Sequence, residues 1–270
     1  MAELLKTLLE PLEEINAYKM VAEDIEREKF PVHISGCIDT QKCHLIYGLS
    51  HSEHWRVIIA SNEIKAREIY DDYKLFDRDV LFYPAKDIIF FGADIQGSAI
   101  STERLKVVDA MLKNDSGTIV TTIDAGLDCI MDSQASKSSR FVIGETDIVN
   151  MDILEKKLVD MGYERQTQVE KPGDFSVRGG ITDIFPITMD CPVRIEFFDN
   201  EVDTIRAFDV QSQRSIERMD KVEVTPAAEM TLSDEQLKAA LKKIEKEYQK
   251  MLEKFRKEKN HDAINRLTDT

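Results

Sequence analysis

Short apolar runs alternate with longer amphipathic stretches through the first half of the chain. Arg56–Ala60, Val80–Tyr83 and Thr118–Thr122 are predicted strands, while Ser61–Phe76 and Thr102–Lys113 are predicted helices. Strands that alternate with helices indicate βαβ units and a parallel sheet. The pattern therefore predicts an α/β domain over residues 1–138, with its boundary in the polar, aperiodic stretch 132–139.

The N-terminal 35 residues are predicted to contain helix followed by strand. Residues 3–29 place leucines on one helical stripe, and Pro11 is expected to break this helix or to begin a second one. A short strand is predicted at Val32–Ser35, followed by Gly36 and a helix from about Lys42 to Leu49.

The second half has mainly period-two patterning, which is typical of antiparallel strands. A strand at Phe141–Gly144 and a helix at Met151–Met161 come first, and Gly162 is expected to end that helix. A hairpin is predicted from Val193–Phe198 and Val202–Phe208. Residues 139–228 are therefore predicted to form an α+β domain inserted after the first.

The stretch from Lys171 contains one Arg-Gly-Gly step, Arg178-Gly179-Gly180. Its apolar residues share one parity, which predicts a single apolar face, and Arg178 has the opposite parity (Phe175, Val177, Ile181 and Phe185). The glycines are expected to bulge or bend the strand. The residues alone favour a binding role for Arg178 and a solvated arginine beside a bulge about equally.

Residues 229–270 are predicted to form a long amphipathic helix. Its apolar positions recur at intervals of four and three (Leu237, Leu241, Ile244, Tyr248, Met251 and Phe255). The stripe is compatible with a coiled coil, but packing against the same protein is the favoured interpretation because two to three heptads are few.

Composition and charge exclude several classes. The net charge is −15, and acidic side chains outnumber basic ones in both predicted domains, which argues against an autonomous nucleic-acid-binding protein. The chain has no apolar run long enough to span a bilayer. Its four cysteines lie far apart, which fits a reducing cytoplasm and argues against a zinc site.

A degenerate phosphate loop, which we define as residues 36–43, lies between the predicted strand and helix. Gly36 and Lys42 match the pattern GxxxxGK[ST], but Gln41 replaces the second glycine and Cys43 replaces the magnesium-binding hydroxyl. Asp39 adds a negative charge where phosphates would lie. The loop is expected to be non-functional, since glutamine resists the required backbone and a thiol binds magnesium poorly.

Other candidate chemistry is weak. Asp124, at the end of a predicted strand, is placed like a Walker B carboxylate, but no second acid follows it. His51 and His54 lack a third metal ligand nearby. No metal site and no catalytic residue is predicted.

Together these residues resemble the N-terminal part of the bacterial transcription-repair coupling factor family (Mfd). The resemblance rests on GDFSVRGGITDIFP and PVRIEFFDNEVDTIRAFDVQSQRSIERMDKVEVTPAAE, with support from FYPAKDIIFFGADIQGSAISTERL and from the degenerate loop. The architecture is also similar to the first domains of the excinuclease subunit UvrB, whose phosphate loop is intact. The resemblance implies a P-loop-like first domain (UvrB domain 1a-like) and a UvrB-like second domain.

The resemblance also implies partners and roles. Such a chain would be a non-catalytic adaptor that recruits UvrA where RNA polymerase has stalled, with Arg178, Phe185 and Arg165 contacting UvrA. RNA polymerase, double-stranded DNA, ATP and magnesium would engage only translocase and other domains outside this chain. The alternatives are a UvrB-like nucleotide-dependent helicase or excinuclease module, and a protein that binds DNA directly. The expected location is cytoplasmic, with no membrane partner.

Overall fold

A parallel sheet forms the core of the first half of the chain. The computed structural model describes residues 2–50, 54–86, 94–128, 139–230 and 234–258, together with Lys137, Asn260, Ala263 and Leu267. Its first elements are α1 (Ala2–Glu13), α2 (Asn16–Glu26), α3 (Asp39–Ser50), β1 (Trp55–Ala60), α4 (Glu63–Tyr73), β2 (Val80–Tyr83), α5 (Asp94–Lys113), β3 (Gly117–Thr122) and α6 (Ile123–Leu127). The strands lie in the order β1-β3-β2, and both pairings are parallel. The predicted parallel sheet is confirmed.

Helices α3 and α4 pack on this sheet through one apolar cluster. Its buried members are Cys43, Tyr47, Ile58, Ala60, Ala66, Tyr73, Val80, Phe82 and Val120. Asn62 caps α4 by accepting a hydrogen bond from the backbone N–H of Lys65 at 2.9 Å.

Two predictions near the N-terminus are wrong. Val32–Ser35 is not a strand: none of the described strands pairs with it, and of its four residues only Val32 is partly buried. Pro11 does not break its helix, since α1 continues to Glu13. Proline in the last turn costs a single hydrogen bond there, and the chain interrupts the helix only after that turn is complete.

An antiparallel-rich sheet dominates the second half of the chain. The elements are β4 (Phe141–Gly144), α7 (Met151–Asp160), β5 (Glu164–Arg165), β6 (Asp174–Arg178), β7 (Ile181–Ile184), β8 (Val193–Phe198), β9 (Glu201–Phe208), β10 (Ser215–Arg218) and β11 (Lys221–Val224). Six strands lie in the order β10-β9-β8-β7-β6-β5, and β11 pairs with β4 separately. The predicted hairpin of β8 and β9 is confirmed, as is the left-handed Gly162 after α7, at φ +88°.

The two glycines after Arg178 form a hairpin turn instead of a bulge. Strand β6 ends at Arg178 and β7 begins at Ile181, and these two residues face each other in the register. Ile181 therefore shares the face of Arg178, and the predicted single apolar parity through Phe175, Val177, Ile181 and Phe185 is wrong. Gly179 has φ +60°, which suits a two-residue turn.

The six-stranded sheet has two different faces. The inner face packs on α7 through a buried cluster that includes Phe175, Ile184, Ile195 and Leu158. We call the opposite side, which carries Arg178, Asp183, Arg194 and Arg206, the outer face; register and strand alternation place these residues together.

The final helix, α8 (Asp234–Lys257), leaves most of its apolar stripe exposed. Leu237, Leu241, Ile244 and Met251 are all exposed, whereas Leu252 is buried. Within the described residues, the favoured interpretation of a stripe packed against the same protein is wrong for these four positions.

Ion pairs connect the first half of the chain to the second. Arg104 of α5, which is fully buried, contacts Glu229 at 3.0 Å, and Lys113 of α5 contacts Glu223 of β11 at 2.6 Å. The predicted domain boundary stays a prediction, because residues 129–136 lie outside the described residues. No helix among those described is long and apolar enough to cross a bilayer.

Candidate functional site

The degenerate phosphate loop begins with a left-handed glycine and ends inside α3. Gly36 has φ +84°, a left-handed backbone conformation that glycine adopts without steric cost. A cavity of about 370 Å³ lies beside the loop; its walls are mostly apolar (Ile34, Ser35, Gly36, Cys37, Lys42, Leu45, Ile46 and Leu49). Lys42 is the cationic side chain in that lining.

The carboxylate of Asp39 pairs with Lys42, the cation that would otherwise be available to a phosphate. Its carboxylate accepts hydrogen bonds from Lys42 Nζ at 2.8 Å and from Lys65 Nζ at 3.1 Å. Hydrogen bonds from these two ammonium groups hold the pKa of Asp39 below its ordinary value of 3.8. Since the carboxylate is then charged at neutral pH and already neutralises Lys42, the residues fit a triphosphate poorly.

The remaining loop residues agree with this geometry. Cys43 is buried in the apolar cluster, and burial raises the pKa of its thiol, so it is not positioned as a ligand for a hard cation. Gln41 is exposed on the first turn of α3. The expectation that the loop is non-functional stays a prediction.

Of the two other candidates, the structure describes Asp124 and His54. Asp124 lies in the first turn of α6 rather than at the end of β3, and it is exposed. His51 and Cys129 lie outside the described residues. Among the residues that are described, no three His, Cys, Asp or Glu side chains form a group that could hold a metal.

A buried aspartate holds two arginines on the outer face. Asp183 is 1% exposed and accepts hydrogen bonds from Arg178 NH2 at 2.6 Å and from Arg194 at 2.7 and 2.9 Å. Arg194 also lies over the ring of Phe208, at 4.5 Å, and hydrogen bonding to Asp183 raises its pKa. Arg178 remains 49% exposed, so its charge is fixed in position and accessible.

A second cross-strand ion pair lies beside this group. Arg206 NH2 is 3.3 Å from Glu196 Oε2, and Thr204 also donates to that carboxylate. Asp183 was not among the residues predicted from the sequence. Its register opposite Arg194 would have identified it, but that register depends on the connection between β7 and β8.

The three predicted contact residues do not share one surface. Phe185 follows β7 on the parity of Asp183, which is the outer face, but it is only 6% exposed. Arg165 pairs with Phe175 of the inner face and forms an ion pair with Glu155 of α7. Arg178 is thus accessible on the outer face, while Arg165 is on the opposite side of the sheet.

Comparison with known proteins shows that the region containing the outer face matches a known family of domains. Residues 142–230 match the UvrB interaction domain, and that span contains the whole outer face. The chain is similar to the UvrB-like N-terminal region of transcription-repair coupling factors. The resemblance predicted from the sequence is confirmed.

Named relatives cover most of this chain but only a small part of their own length. The transcription-repair-coupling factor of Bacillus subtilis is 34% identical over 209 residues, which are 77% of this chain and 18% of that protein. Those of Staphylococcus epidermidis and Staphylococcus aureus are each 28% identical, covering 93% and 79% of the chain and 22% and 18% of the relatives. The chain therefore spans about a fifth of these coupling factors.

Proposed function

We propose that this chain is the non-catalytic adaptor region of a transcription-coupled DNA repair factor, and that the outer face of its UvrB-like second domain docks UvrA. The observation that carries the proposal is the match of residues 142–230 to the UvrB interaction domain, together with an accessible arginine on a rigid sheet within it. In the full-length protein, domains beyond this region would bind double-stranded DNA and use ATP to displace stalled RNA polymerase.

The geometry of Arg178 supports a docking role. Asp183 holds the guanidinium in one place, so a partner carboxylate would not have to order a free side chain on binding. Arginine is one of the residue types that are enriched among those that dominate binding energy at interfaces.

Binding of UvrA by the purified chain tests the proposal. Arg178→Ala is expected to weaken binding by about 2 kcal/mol, or roughly thirtyfold, because it removes a charge-assisted contact. Asp183 would keep its bonds to Arg194, so the fold should survive. Arg165→Ala provides the comparison on the inner face and should change the affinity little.

Two results would contradict this assignment. If the wild-type chain does not bind UvrA, the adaptor role is wrong. If Arg178→Ala binds as tightly as wild type while Arg165→Ala does not, the docking surface is the helix side or the β5 edge of the sheet.

The non-catalytic part of the proposal rests on Asp39. Because its carboxylate pairs with Lys42, we expect no heat of binding in a calorimetric titration with ATP and magnesium. Micromolar binding that is lost in Lys42→Ala would instead favour the rival function, a UvrB-like nucleotide-dependent helicase module.

A further inference from the structure

One end of the outer face carries two large apolar side chains that folding does not bury. Phe198, the last residue of β8, is 80% exposed, and Ile148 is 84% exposed. Both lie directly opposite Glu201, Phe198 in the β8–β9 pairing and Ile148 through an isolated bridge on the other side of β9. Directly opposite residues point to the same face, so these three form one row.

The row lies on the outer face. Phe197 and Val149 pack against the inner cluster, and the neighbours Phe198 and Ile148 therefore point away from it. The pairing of β8 with β9 shifts between Glu196 and Phe197 because β9 carries one extra residue there, so the alternation along β8 continues unbroken through Phe198.

Arg178 is at the same end of the sheet. The backbone N–H of Phe197 donates to the carbonyl of Gly180 at 2.8 Å, which brings the turn after Arg178 alongside the end of β8. Two strand spacings and two residues along a strand separate the Cα atoms of Arg178 and Phe198 by about 12 Å. That distance fits easily within a standard interface of roughly 800 Å² per partner.

The exposure has no structural benefit for the chain alone. Single exposed apolar residues are common, but here an aromatic and an aliphatic residue lie in one row beside a fixed arginine, and aromatic residues and arginine are enriched at protein interfaces. By contrast Phe185, the aromatic predicted from the sequence, has 6% of its surface available.

We propose that Phe198 and Ile148 are the apolar anchor of the UvrA-docking surface. Their side chains insert into an apolar pocket of UvrA, and a carboxylate beside that pocket binds Arg178. This inference rests on the proposed function, which takes UvrA as the partner of the region that matches the UvrB interaction domain. Phe198 then supplies most of the buried apolar area, and Arg178 fixes the orientation of the complex.

The test compares UvrA affinity for the whole chain and three variants. Phe198→Ala is expected to raise the Kd at least about tenfold, since truncating a hot-spot aromatic removes the anchor. Phe198→Gln, which keeps much of the size but loses the apolar character, should do the same. Ile153→Ala is the matched control, because Ile153 is 67% exposed on α7, on the other side of the sheet, and its variant should bind within about twofold of wild type.

The outcomes separate this inference from the proposed function. If Arg178→Ala weakens binding while both Phe198 variants bind normally and unfold at the wild-type temperature, the anchor is overturned and the docking role stands. If the Phe198 variants instead abolish self-association of the chain in sedimentation and leave UvrA affinity unchanged, the row is a contact between copies and the inference is likewise overturned. Wild-type chain that does not bind UvrA overturns both.

Discussion

Removal of the Asp183 carboxylate should destabilise the sheet and also weaken docking. Asp183 is 1% exposed and is the acceptor for both Arg178 and Arg194, so Asp183→Ala leaves two guanidinium groups without their shared partner. Breaking a buried pair costs about 3–5 kcal/mol. Arg178 and Arg194 are 49% and 20% exposed, and water should compensate part of this, which lowers our expectation to about 2–3 kcal/mol.

Urea unfolding monitored by circular dichroism measures this cost. With a slope of about 2 kcal/mol per molar urea, the midpoint should fall by about 1–1.5 M in Asp183→Ala. Asp183→Asn retains one acceptor oxygen and the side-chain shape, so its midpoint should lie between those of Asp183→Ala and wild type. Glu201→Ala, at an exposed position of the same sheet, is the control and should leave the midpoint nearly unchanged.

The docking assay adds a second measurement for the same variants. A freed Arg178 must be ordered on binding, so Asp183→Asn should weaken UvrA affinity even at temperatures where it is fully folded. An unchanged urea midpoint in both Asp183 variants would refute the reasoning, because it would mean that solvent fully replaces the carboxylate.

Three smaller predictions follow from single contacts. Gly162→Ala should lower the free energy of unfolding by at least about 2 kcal/mol, because φ is +88° and a Cβ would lie 2.4 Å from that of Ala228. Gly126→Ala is the control: a Cβ there meets open space, and the free energy of unfolding in urea should hardly change. Leu252→Ala should lower the free energy of unfolding by about 2 kcal/mol, because Leu252 is buried. Leu241→Ala, on the exposed stripe, should lower it by less than about 0.5 kcal/mol, and equal losses in the two variants would mean that the stripe is packed. Cys43 should resist alkylation at pH 8 until the protein unfolds, because burial shields the thiol and raises its pKa, which leaves less thiolate at that pH. Mass spectrometry of labelled peptides measures this, and labelling of Cys43 in the folded protein would contradict it.

Elements whose pattern was local could be predicted from the sequence. Val80–Tyr83 is a strand with the predicted ends, and the β8–β9 hairpin turns where Asp199 and Asn200 suit a tight turn; Asp199 has φ +59°. The strand at Val32–Ser35 failed because apolar character in four residues does not show whether a sheet is available to bury them.

The expected placement of side chains on the faces of the sheet was wrong where it depended on register. Two glycines are compatible with a bulge or with a turn, and the choice decides whether Ile181 lies with Phe175 or with Arg178. Arg165 lies on the inner face because β5 pairs with β6 over only two residues, and a strand this short has no hydrophobic periodicity that the sequence could show. Exposure of Phe198 was equally hidden, since an apolar residue at a strand end is usually assigned to the core.

Arg104 presents the strongest case of a residue whose role the sequence conceals, because an arginine in an amphipathic helix is expected at the surface. It is fully buried, with NH1 donating to the carbonyl of Pro84 at 2.7 Å, Nε donating to Glu229 at 3.0 Å, and its guanidinium over the ring of Tyr83 at 4.2 Å. The residue therefore ties α5 to the segment that follows β11.

Arg104→Ala should cost about 3–5 kcal/mol, because it leaves Glu229 short of a partner and opens a cavity. The melting temperature should fall by about 10 °C for a protein of this size. Arg104→Met combined with Glu229→Gln removes both charges and retains most of the volume, so it should recover much of that loss. Arg27→Ala breaks the exposed Arg27–Glu23 pair and should change the melting temperature little. Equal shifts for Arg104→Ala and Arg27→Ala in calorimetry would mean that the buried network does not join the two halves of the chain.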